Sequence, residues 1–213
     1  MLTLAPYLAQ LSAWPSSGRH ILAQFDADSI VVYQAFRAEI AEEAVRLQRF
    51  GRGFSLGRMS WIKPNFLWMM YRSGWATKTD QEHVLAVRLR RAFFERLLGC
   101  AVRSTYHHEY WPSHEAWQDA VRSSDVRLQW DPDHDPSGNP VERRAIQLGM
   151  RGATLREYAG PAILEVVDMT DFVATQRVLA RAPYAELTVP TESIFEPVVV
   201  RYAKSAREAW PPS

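Results

Sequence analysis

The sequence predicts an α+β fold: a single compact domain with a mixed, mainly antiparallel sheet flanked by helices. Short β-branched runs alternate with single helices, without the regular strand–helix–strand spacing of a doubly wound parallel sheet. The 213 residues suit one domain, and 47% of them are hydrophobic, which is enough for a sizeable core. We expect an N-terminal arm at residues 1–18, the domain at residues 19–205 and a C-terminal tail at residues 206–213.

The first half of the chain alternates strand and helix signals. A β-branched run follows the turn Asp26-Ala-Asp28, and apolar residues at helical spacing come next. Pro64 is well placed to begin a further helix, because proline suits the first helical turn. The predicted elements are a strand at 29–36, a helix at 39–50, a strand at 54–62, a helix from Pro64 to Tyr71, a strand at 84–88 and a helix ending at Leu98.

The second half continues the same mixture. Ser113 is a good N-cap for a helix, with Trp117 and Val121 on its inner face. The other predicted elements are a strand at 126–130, a strand or helix at 141–148, a strand at 163–168, a helix at 171–181 and a last strand at 198–202.

Charge and composition limit the function classes. The chain has 25 basic and 24 acidic residues, so bulk charge does not support binding to nucleic acid, although a local basic site remains open. One cysteine excludes an internal disulfide bond. The chain has no apolar run of the ~18 residues needed to cross a membrane, and its N-terminus lacks the basic start of a secretory signal. We therefore expect a cytoplasmic protein without membrane contact.

The most polar segment, residues 131–140, resembles part of a calcium-binding loop. Aspartates stand at alternate positions from Asp131, and Glu142 occupies the place of the last ligand. Pro136 stands where that loop needs a glycine, and proline cannot adopt the positive φ of the sharp turn. We therefore expect no bound metal. The alternatives are a rigid surface turn, or a loop that presents Asp133 or His134 to a substrate.

Basic and aromatic side chains alternate over residues 58–75. If Pro64 begins a helix, its free N–H groups form an anion site that Arg58, Ser60 and Lys63 complete. The aromatic side chains would then stack on a base. The alternative is that these aromatic residues form the buried face of the helix.

Long stretches of the chain resemble the family known as domain of unknown function 4291. They cover most of residues 14–180. The matching stretches are Gly18–Gln24, Ser29–Arg37, Arg58–Trp75, Val126–Pro136 and Glu142–Gly149.

The order of elements is also similar, at the level of the fold, to ADP-ribosyltransferases. Those enzymes carry a His or Arg after a tyrosine on an early strand, a Ser or Tyr before a helix, and a Glu at the start of a late strand. The corresponding residues here are Gln34 after Tyr33, Ser60 and Glu142. Glutamine thus stands where those enzymes have His or Arg, although its amide can still hydrogen-bond a ribose hydroxyl.

This resemblance implies a nucleotide-handling enzyme that transfers ADP-ribose from NAD, with Gln34, Ser60 and Glu142 as catalytic residues. Glu142 would stabilise an oxocarbenium-like transition state by its charge. The other implied contacts are Arg58 and Lys63 on the diphosphate, Trp61 or Trp68 on nicotinamide, Tyr33 beside the cofactor, and Asp133, His134 or Gln147 on the acceptor.

Two other classes stay open. One is a non-catalytic module that binds a nucleotide or a phosphorylated small molecule, and the other is a calcium-stabilised interaction domain. Substitution of Glu142 by glutamine discriminates the first from an enzyme, because only an enzyme loses turnover while it keeps its ligand.

Overall fold

The computed structural model describes residues 2–197. The strand expected at 198–202 and the tail expected at 206–213 lie outside these residues. The helices are α1 (Tyr7–Ala13), α2 (Ala38–Leu47), α3 (Phe66–Ser73), α4 (Arg91–Cys100), α5 (His114–Ser123), α6 (Gly152–Tyr158) and α7 (Thr170–Arg177). The strands are β1 (Leu4–Pro6), β2 (Gly18–Arg19), β3 (Leu22–Ala23), β4 (Ser29–Phe36), β5 (Ser60–Ile62), β6 (His83–Arg90), β7 (Val102–Arg103), β8 (Val126–His134), β9 (Pro140–Met150), β10 (Ile163–Asp168), β11 (Thr188–Pro190) and β12 (Ser193–Ile194).

The strands form two main sheets. The first is antiparallel, in the order β10-β6-β4, and the second has the order β2-β9-β8-β7 with β5 on β9. Within the second sheet, β8 and β5 are antiparallel to β9, whereas the β2–β9 and β7–β8 pairs are parallel. The α+β class and the mainly antiparallel pairing are thus confirmed, but the expected single sheet is divided into two.

The two sheets meet at one point, between Tyr33 of β4 and Lys63, which follows β5. The Tyr33 N–H donates to the Lys63 carbonyl at 2.7 Å, and the Lys63 N–H donates to the Tyr33 carbonyl at 3.3 Å. This pair of hydrogen bonds fixes the residue after β5 against the middle of β4.

Both faces of the first sheet are covered, which explains the continuous apolar runs in β4 and β6. On one face, Ile30 and Val32 join a core with α2, α4 and α6, which also receives Leu128 and Leu148 of the second sheet. On the other face, Val31 and Tyr33 join residues of α1, α3 and α7.

The N-terminal residues form structure instead of the loose arm that we expected. β1 pairs with β11, the α1 side chain of Tyr7 is 3% exposed, and Trp14 is buried. The Trp14 indole N–H donates to the Glu192 carbonyl at 2.9 Å. These contacts join the N-terminus to a segment almost 180 residues later in the chain, a pairing that local sequence patterns do not reveal.

Several element boundaries also differ from expectation. β8 extends through His134, so half of the predicted polar loop belongs to a hairpin whose tight turn closes between Asp135 and Asn139. The strand expected from Phe54 to Ile62 shortens to β5. The Ser113 cap is confirmed, because its hydroxyl oxygen accepts a hydrogen bond from the Ala116 N–H at 3.1 Å. Within residues 2–197, no helix is long and apolar enough to cross a membrane.

Candidate functional site

A cleft of about 810 Å³ opens beside the junction of the two sheets. Its walls come from the end of β4, the loop before β5, α3 and the middle of β8 and β9. The volume lies within the range of roughly 300–1,000 Å³ that is typical of small-molecule sites. The lining combines basic, amide and aromatic side chains: Arg37, Arg58, Lys63 and Arg72; Gln34, Gln81, Gln129 and Gln147; and Phe36, Phe54 and Trp61.

Positive charge dominates this cleft. Among the described residues that line it, four are basic and one, Asp80, is acidic. Arg37 pairs with Glu39 at 3.3 Å, and Arg72 donates to the Gln81 side chain at 3.3 Å. Arg58 is exposed and forms no ion pair within residues 2–197. The cleft therefore suits an anionic ligand.

Lys63 is the buried member of the basic group. Its side chain is 5% exposed, and its ammonium nitrogen forms no hydrogen bond or ion pair with the described residues. Burial, and to a smaller extent the nearby charge of Arg72, lower the pKa of Lys63 to about 8, and Asp131 opposes both effects. An ammonium that is desolvated without a partner is costly, so this lysine marks a position where function is expected.

Gln34 connects the cleft to the core through fully used hydrogen bonds. Its carbonyl oxygen accepts from the Tyr158 hydroxyl at 2.5 Å. Its amide nitrogen donates to the Ser60 hydroxyl oxygen at 2.8 Å and to the Trp61 carbonyl at 2.9 Å. Both amide protons are thus engaged, so the expected contact between Gln34 and a ribose hydroxyl could use only the second lone pair of the Gln34 carbonyl oxygen. Gln34 also positions Ser60.

Asp131 is a carboxylate of the second sheet that is held by two glutamines of the cleft lining. Its two oxygens accept hydrogen bonds from the side-chain amides of Gln129, at 2.9 Å, and Gln147, at 2.7 Å. The three side chains share one face of the β8–β9 pair, because Gln129 is directly opposite Gln147 and Asp131 is two residues further along. Asp131 is partly buried, and its charge reaches Lys63.

Trp61 covers the neighbouring part of this sheet face. It pairs with Gly149 across β5 and β9, and its ring lies over that glycine. A Cβ atom at position 149 would meet the Met59 sulfur at 2.7 Å and the indole ring at 2.9 Å. The absence of a side chain at Gly149 therefore leaves room for the Trp61 ring, which lines the cleft.

The N-terminus of α3 already has a hydrogen-bond acceptor, which is a carboxyl side chain of the protein. The buried Glu192 carboxylate accepts from the Phe66 N–H at 2.7 Å and from the Asn65 amide at 3.1 Å. Asn65 itself caps the helix, since its carbonyl oxygen accepts from the Trp68 N–H at 2.7 Å. The Phe66 and Trp68 N–H groups, which we expected to bind a phosphate at this helix start, thus already have acceptors within the protein.

Trp68 lies outside the cleft, in a stack of three rings. Tyr71 and His134 are parallel within 10°, with their centroids 3.4 Å apart, and Trp68 lies 5.4 Å from Tyr71. Burial lowers the pKa of His134. Because the Trp68 ring is 7% exposed, it is not available to stack on nicotinamide in this conformation.

Asp133 and Tyr33 are also buried away from the cleft. Asp133 pairs with Arg143 at 2.6 Å, and both side chains are at most 5% exposed. Tyr33 is fully buried against Phe66 in an edge-to-face contact with centroids 5.4 Å apart. Asp133 thus supports the fold at this position.

The structure brings together six of the residues expected at the site: Gln34, Arg58, Ser60, Trp61, Lys63 and Gln147. It does not bring Tyr33, Trp68, Asp133, His134 or Glu142 into the lining of the cleft. Glu142 is exposed near the start of β9 and follows the hairpin turn, five residues before Gln147. No cluster of three or more metal-ligating side chains occurs within residues 2–197.

Sequence reasoning missed Arg37, Arg72, Gln129 and the role of Asp131. For Asp131 the signal was present in the sequence. Polar Gln129 and Asp131 alternate with apolar Leu128 and Trp130, which is the period of a strand with one polar face. The expected end of this strand at Trp130 is too early, because β8 continues through His134 and includes Asp131 and Asp133.

Comparison with known proteins gives a family for this chain. A search of the curated proteins found no match. The family model described as domain of unknown function (DUF4291) matches residues 20–195, which include β3 to β12 and all the residues that line the cleft. Since the match covers far more than half of the 213 residues, the chain belongs to this family.

Proposed function

We propose that the protein is a nucleotide-handling enzyme that holds NAD in the cleft and transfers its ADP-ribosyl group. The observation that carries this proposal is the charge of the cleft: four basic side chains against one acidic side chain, with an indole ring on the wall. A dinucleotide needs a cationic contact for its diphosphate and a flat surface for a ring. The NAD-dependent reaction itself rests on the fold-level similarity to ADP-ribosyltransferases.

Arg58 and Arg72 are the proposed diphosphate contacts. Both side chains are exposed at the cleft, and neither forms an ion pair within residues 2–197. Guanidinium groups bind phosphate oxygens in a two-pronged geometry, and such charge-assisted hydrogen bonds are the stronger kind. Lys63 adds a positive charge deeper in the cleft. This arrangement replaces the helix N-terminus that Glu192 occupies.

Trp61 is the proposed surface for the nicotinamide ring. It is partly buried and lines the cleft, in contrast to Trp68. Ser60 stands next to it, and its hydroxyl oxygen already accepts a hydrogen bond from Gln34. The hydroxyl proton of Ser60 is therefore directed to another acceptor, and a carboxamide or ribose oxygen of the ligand would serve.

Asp131 replaces Glu142 as the proposed catalytic carboxylate. Cleavage of the nicotinamide–ribose bond develops positive charge on the ribose, which a fixed negative charge stabilises. Gln129 and Gln147 hold both Asp131 oxygens, so the carboxylate is positioned before the substrate arrives. Each oxygen keeps capacity for a second hydrogen bond, such as one from a ribose hydroxyl.

A non-catalytic module that binds a nucleotide or a phosphorylated small molecule is the second candidate. The lining of the cleft within the described residues favours it in one respect, because Asp80 is its single carboxylate and is exposed. In that case Asp131 would organise the two glutamines, and no bond of the ligand would break.

Binding and turnover separate the two candidates. Thermal shift measurements with NAD, ADP-ribose and pyrophosphate test binding, and a hundredfold excess over Kd stabilises a fold by ~2.7 kcal/mol, or a few degrees. We expect Arg58→Ala to remove the shift and Arg49→Ala, an exposed arginine outside the cleft, to retain it. If no ligand shifts the wild type at millimolar concentration, nucleotide binding is wrong.

Release of nicotinamide from NAD tests the chemistry. We expect Asp131→Asn to keep the NAD shift and to lose turnover, whereas Asp28→Asn, an exposed control, keeps both. A wild-type protein that binds NAD without releasing nicotinamide, alone or with acceptor substrates, supports the binding module. Turnover that survives in Asp131→Asn and disappears in Glu142→Gln would return the catalytic role to Glu142.

A further inference from the structure

Lys63 differs from every other buried basic residue in the described chain. Four basic side chains are buried there: Lys63, Arg103, Arg127 and Arg143. Arg143 pairs with Asp133, Arg127 donates to main-chain carbonyls of residues 121, 124 and 126, and Arg103 lies 4.3 Å from the centre of the Tyr110 ring. Lys63 has no such partner within residues 2–197, and it lines the cleft.

The residue type at this position matters for the chemistry. Of the 25 basic residues in the chain, three are lysines, at positions 63, 78 and 204, and the others are arginines. An arginine keeps its proton in proteins, whereas a buried lysine becomes a neutral amine at accessible pH. Among residues 2–197, the one buried basic side chain without a partner is therefore a lysine, which is one of the few potential amine nucleophiles in the sequence.

The surroundings of Lys63 favour the neutral amine without abolishing its charge. Desolvation and Arg72 lower the pKa to about 8, and Asp131 limits the shift. With such a pKa, about one-tenth of the side chains are unprotonated at pH 7. Two hydrogen bonds to Tyr33 fix the backbone of Lys63, so the lysine side chain starts from a fixed position at the junction of the sheets.

The other cleft residues indicate what an amine would meet there. Arg58 and Arg72 offer cationic contacts for a phosphate at the cleft. The side chains of Gln129 and Gln147 offer amide oxygens to hydroxyl groups, since their nitrogens are engaged by Asp131. Phosphate, hydroxyl groups and an electrophilic carbon together describe a phosphorylated hydroxyaldehyde, such as a small sugar phosphate in its open-chain form.

We propose that Lys63 is a nucleophilic amine that forms a Schiff base with the aldehyde of a phosphorylated hydroxyaldehyde bound in the cleft. The Lys63 nitrogen bonds to the carbonyl carbon, and the carbonyl oxygen leaves as water with the two hydrogens of the neutral amine. The product is an imine, which water hydrolyses back to amine and aldehyde. This inference does not rest on NAD as a ligand.

Reductive trapping tests it directly. The intact wild-type protein is incubated with glyceraldehyde 3-phosphate and cyanoborohydride, which converts an imine into a stable secondary amine, and peptides are analysed by mass spectrometry. We expect Lys63 to be labelled at least about tenfold faster than Lys78, because Lys78 is exposed outside the cleft lining and its ammonium donates to the main-chain carbonyls of Tyr71 and Arg72. Glyceraldehyde without phosphate should label Lys63 more slowly, and pyrophosphate should protect it.

Labelling of the wild-type protein alone can overturn the proposal, and the variants test it further. Labelling of Lys78 as fast as Lys63, or equal rates with and without the phosphate on the aldehyde, would overturn the proposal. Lys63→Arg and Lys63→Met should abolish the fast labelling, whereas Lys78→Arg should not change it. Arg58→Ala should remove the preference for the phosphorylated aldehyde. Because NAD takes no part, labelling and NAD binding succeed or fail separately.

Discussion

The Glu192 carboxylate accepts a hydrogen bond of 2.7 Å from the backbone N–H of Phe66, the first residue of α3. The backbone N–H of Glu192 donates to the side-chain oxygen of Gln10 at 2.6 Å, and the Glu192 carbonyl accepts from the Trp14 indole N–H at 2.9 Å. Glu192 thus ties the helix beside the cleft to both ends of the described chain. Its carboxyl oxygens occupy the Phe66 N–H and the Asn65 amide, so these two donors are not available to a ligand phosphate.

Glu192→Ala should destabilise the fold. The change leaves the Phe66 N–H and the Asn65 amide without an acceptor in the protein interior, where each buried unsatisfied group costs about 1–3 kcal/mol. Denaturant unfolding measures the loss. Glu196→Ala, a neighbouring acidic residue on the surface, is the control and should change the free energy of unfolding little. If Glu192→Ala changes the free energy of unfolding as little as Glu196→Ala does, water replaces the Glu192 carboxyl group as the acceptor.

Glu192 should also make stability depend on pH. Burial raises the pKa of Glu192 well above its ordinary value of 4.5, despite the hydrogen bonds that favour the ion. A raised pKa means that the stabilising contribution is complete below the unfolded-state pKa and is lost as pH rises through the folded-state pKa. The wild type should therefore lose stability relative to Glu192→Gln as pH rises above 4.5. The opposite slope would show that the ionised form is favoured.

Local sequence signals gave the elements, and long-range contacts decided how they pair. The apolar run of β4 and the Ser113 cap were readable because propensity and capping act within a few residues. The Glu192 contacts with Gln10 and Phe66 span more than 120 residues. No local pattern distinguishes Glu192 from a surface glutamate. The sequence therefore predicts neither the packing of the N-terminal residues nor the contact of Glu192 with the start of α3.

The buried pair of Asp133 and Arg143 should stabilise the hairpin of β8 and β9. Their atoms are 2.6 Å apart, and Arg143 also donates to the Pro15 carbonyl at 2.7 Å. Removal of one partner leaves an uncompensated buried charge, which costs about 3–5 kcal/mol. Asp133→Ala and Arg143→Ala should each show this loss in denaturant unfolding, and the double variant should lose less than the sum.

The same pair bears on the resemblance of residues 131–142 to a calcium-binding loop. Asp133 is engaged by Arg143, and Asp135 accepts from the Asn139 N–H and side chain, each at 2.9 Å. A calcium loop needs its aspartates to converge on one point, whereas β8 directs Asp131 to the cleft face. The spacing of the aspartates matches a calcium-binding loop, but the alternation of side chains along β8 determines on which face of the sheet each carboxylate lies.

Gly149→Ala should disturb the cleft more than the core. The new methyl group would meet the Met59 sulfur and the Trp61 ring closer than 3 Å, so the indole must move. Such overpacking costs about 1–3 kcal/mol. We expect a change in tryptophan fluorescence and weaker ligand stabilisation. Gly57→Ala is the matched control, because a Cβ atom there meets nothing within 4 Å. Unchanged fluorescence would indicate that Met59 alone absorbs the contact.

Tyr158→Phe should affect the cleft from the core side. The Tyr158 hydroxyl donates to the Gln34 carbonyl oxygen at 2.5 Å, and this bond keeps the Gln34 amide nitrogen directed at Ser60. Without it, the buried Gln34 oxygen loses its partner, at a cost of about 1–3 kcal/mol, and the amide is free to rotate. We expect lower stability and faster exchange of the Gln34 side-chain amide protons in NMR spectra.

Tyr106→Phe, a partly exposed tyrosine outside the cleft, should leave that exchange unchanged. If Tyr158→Phe lowers stability while the Gln34 amide protons stay protected, Tyr158 only fills the core, and Ser60 is held in place by the sheet.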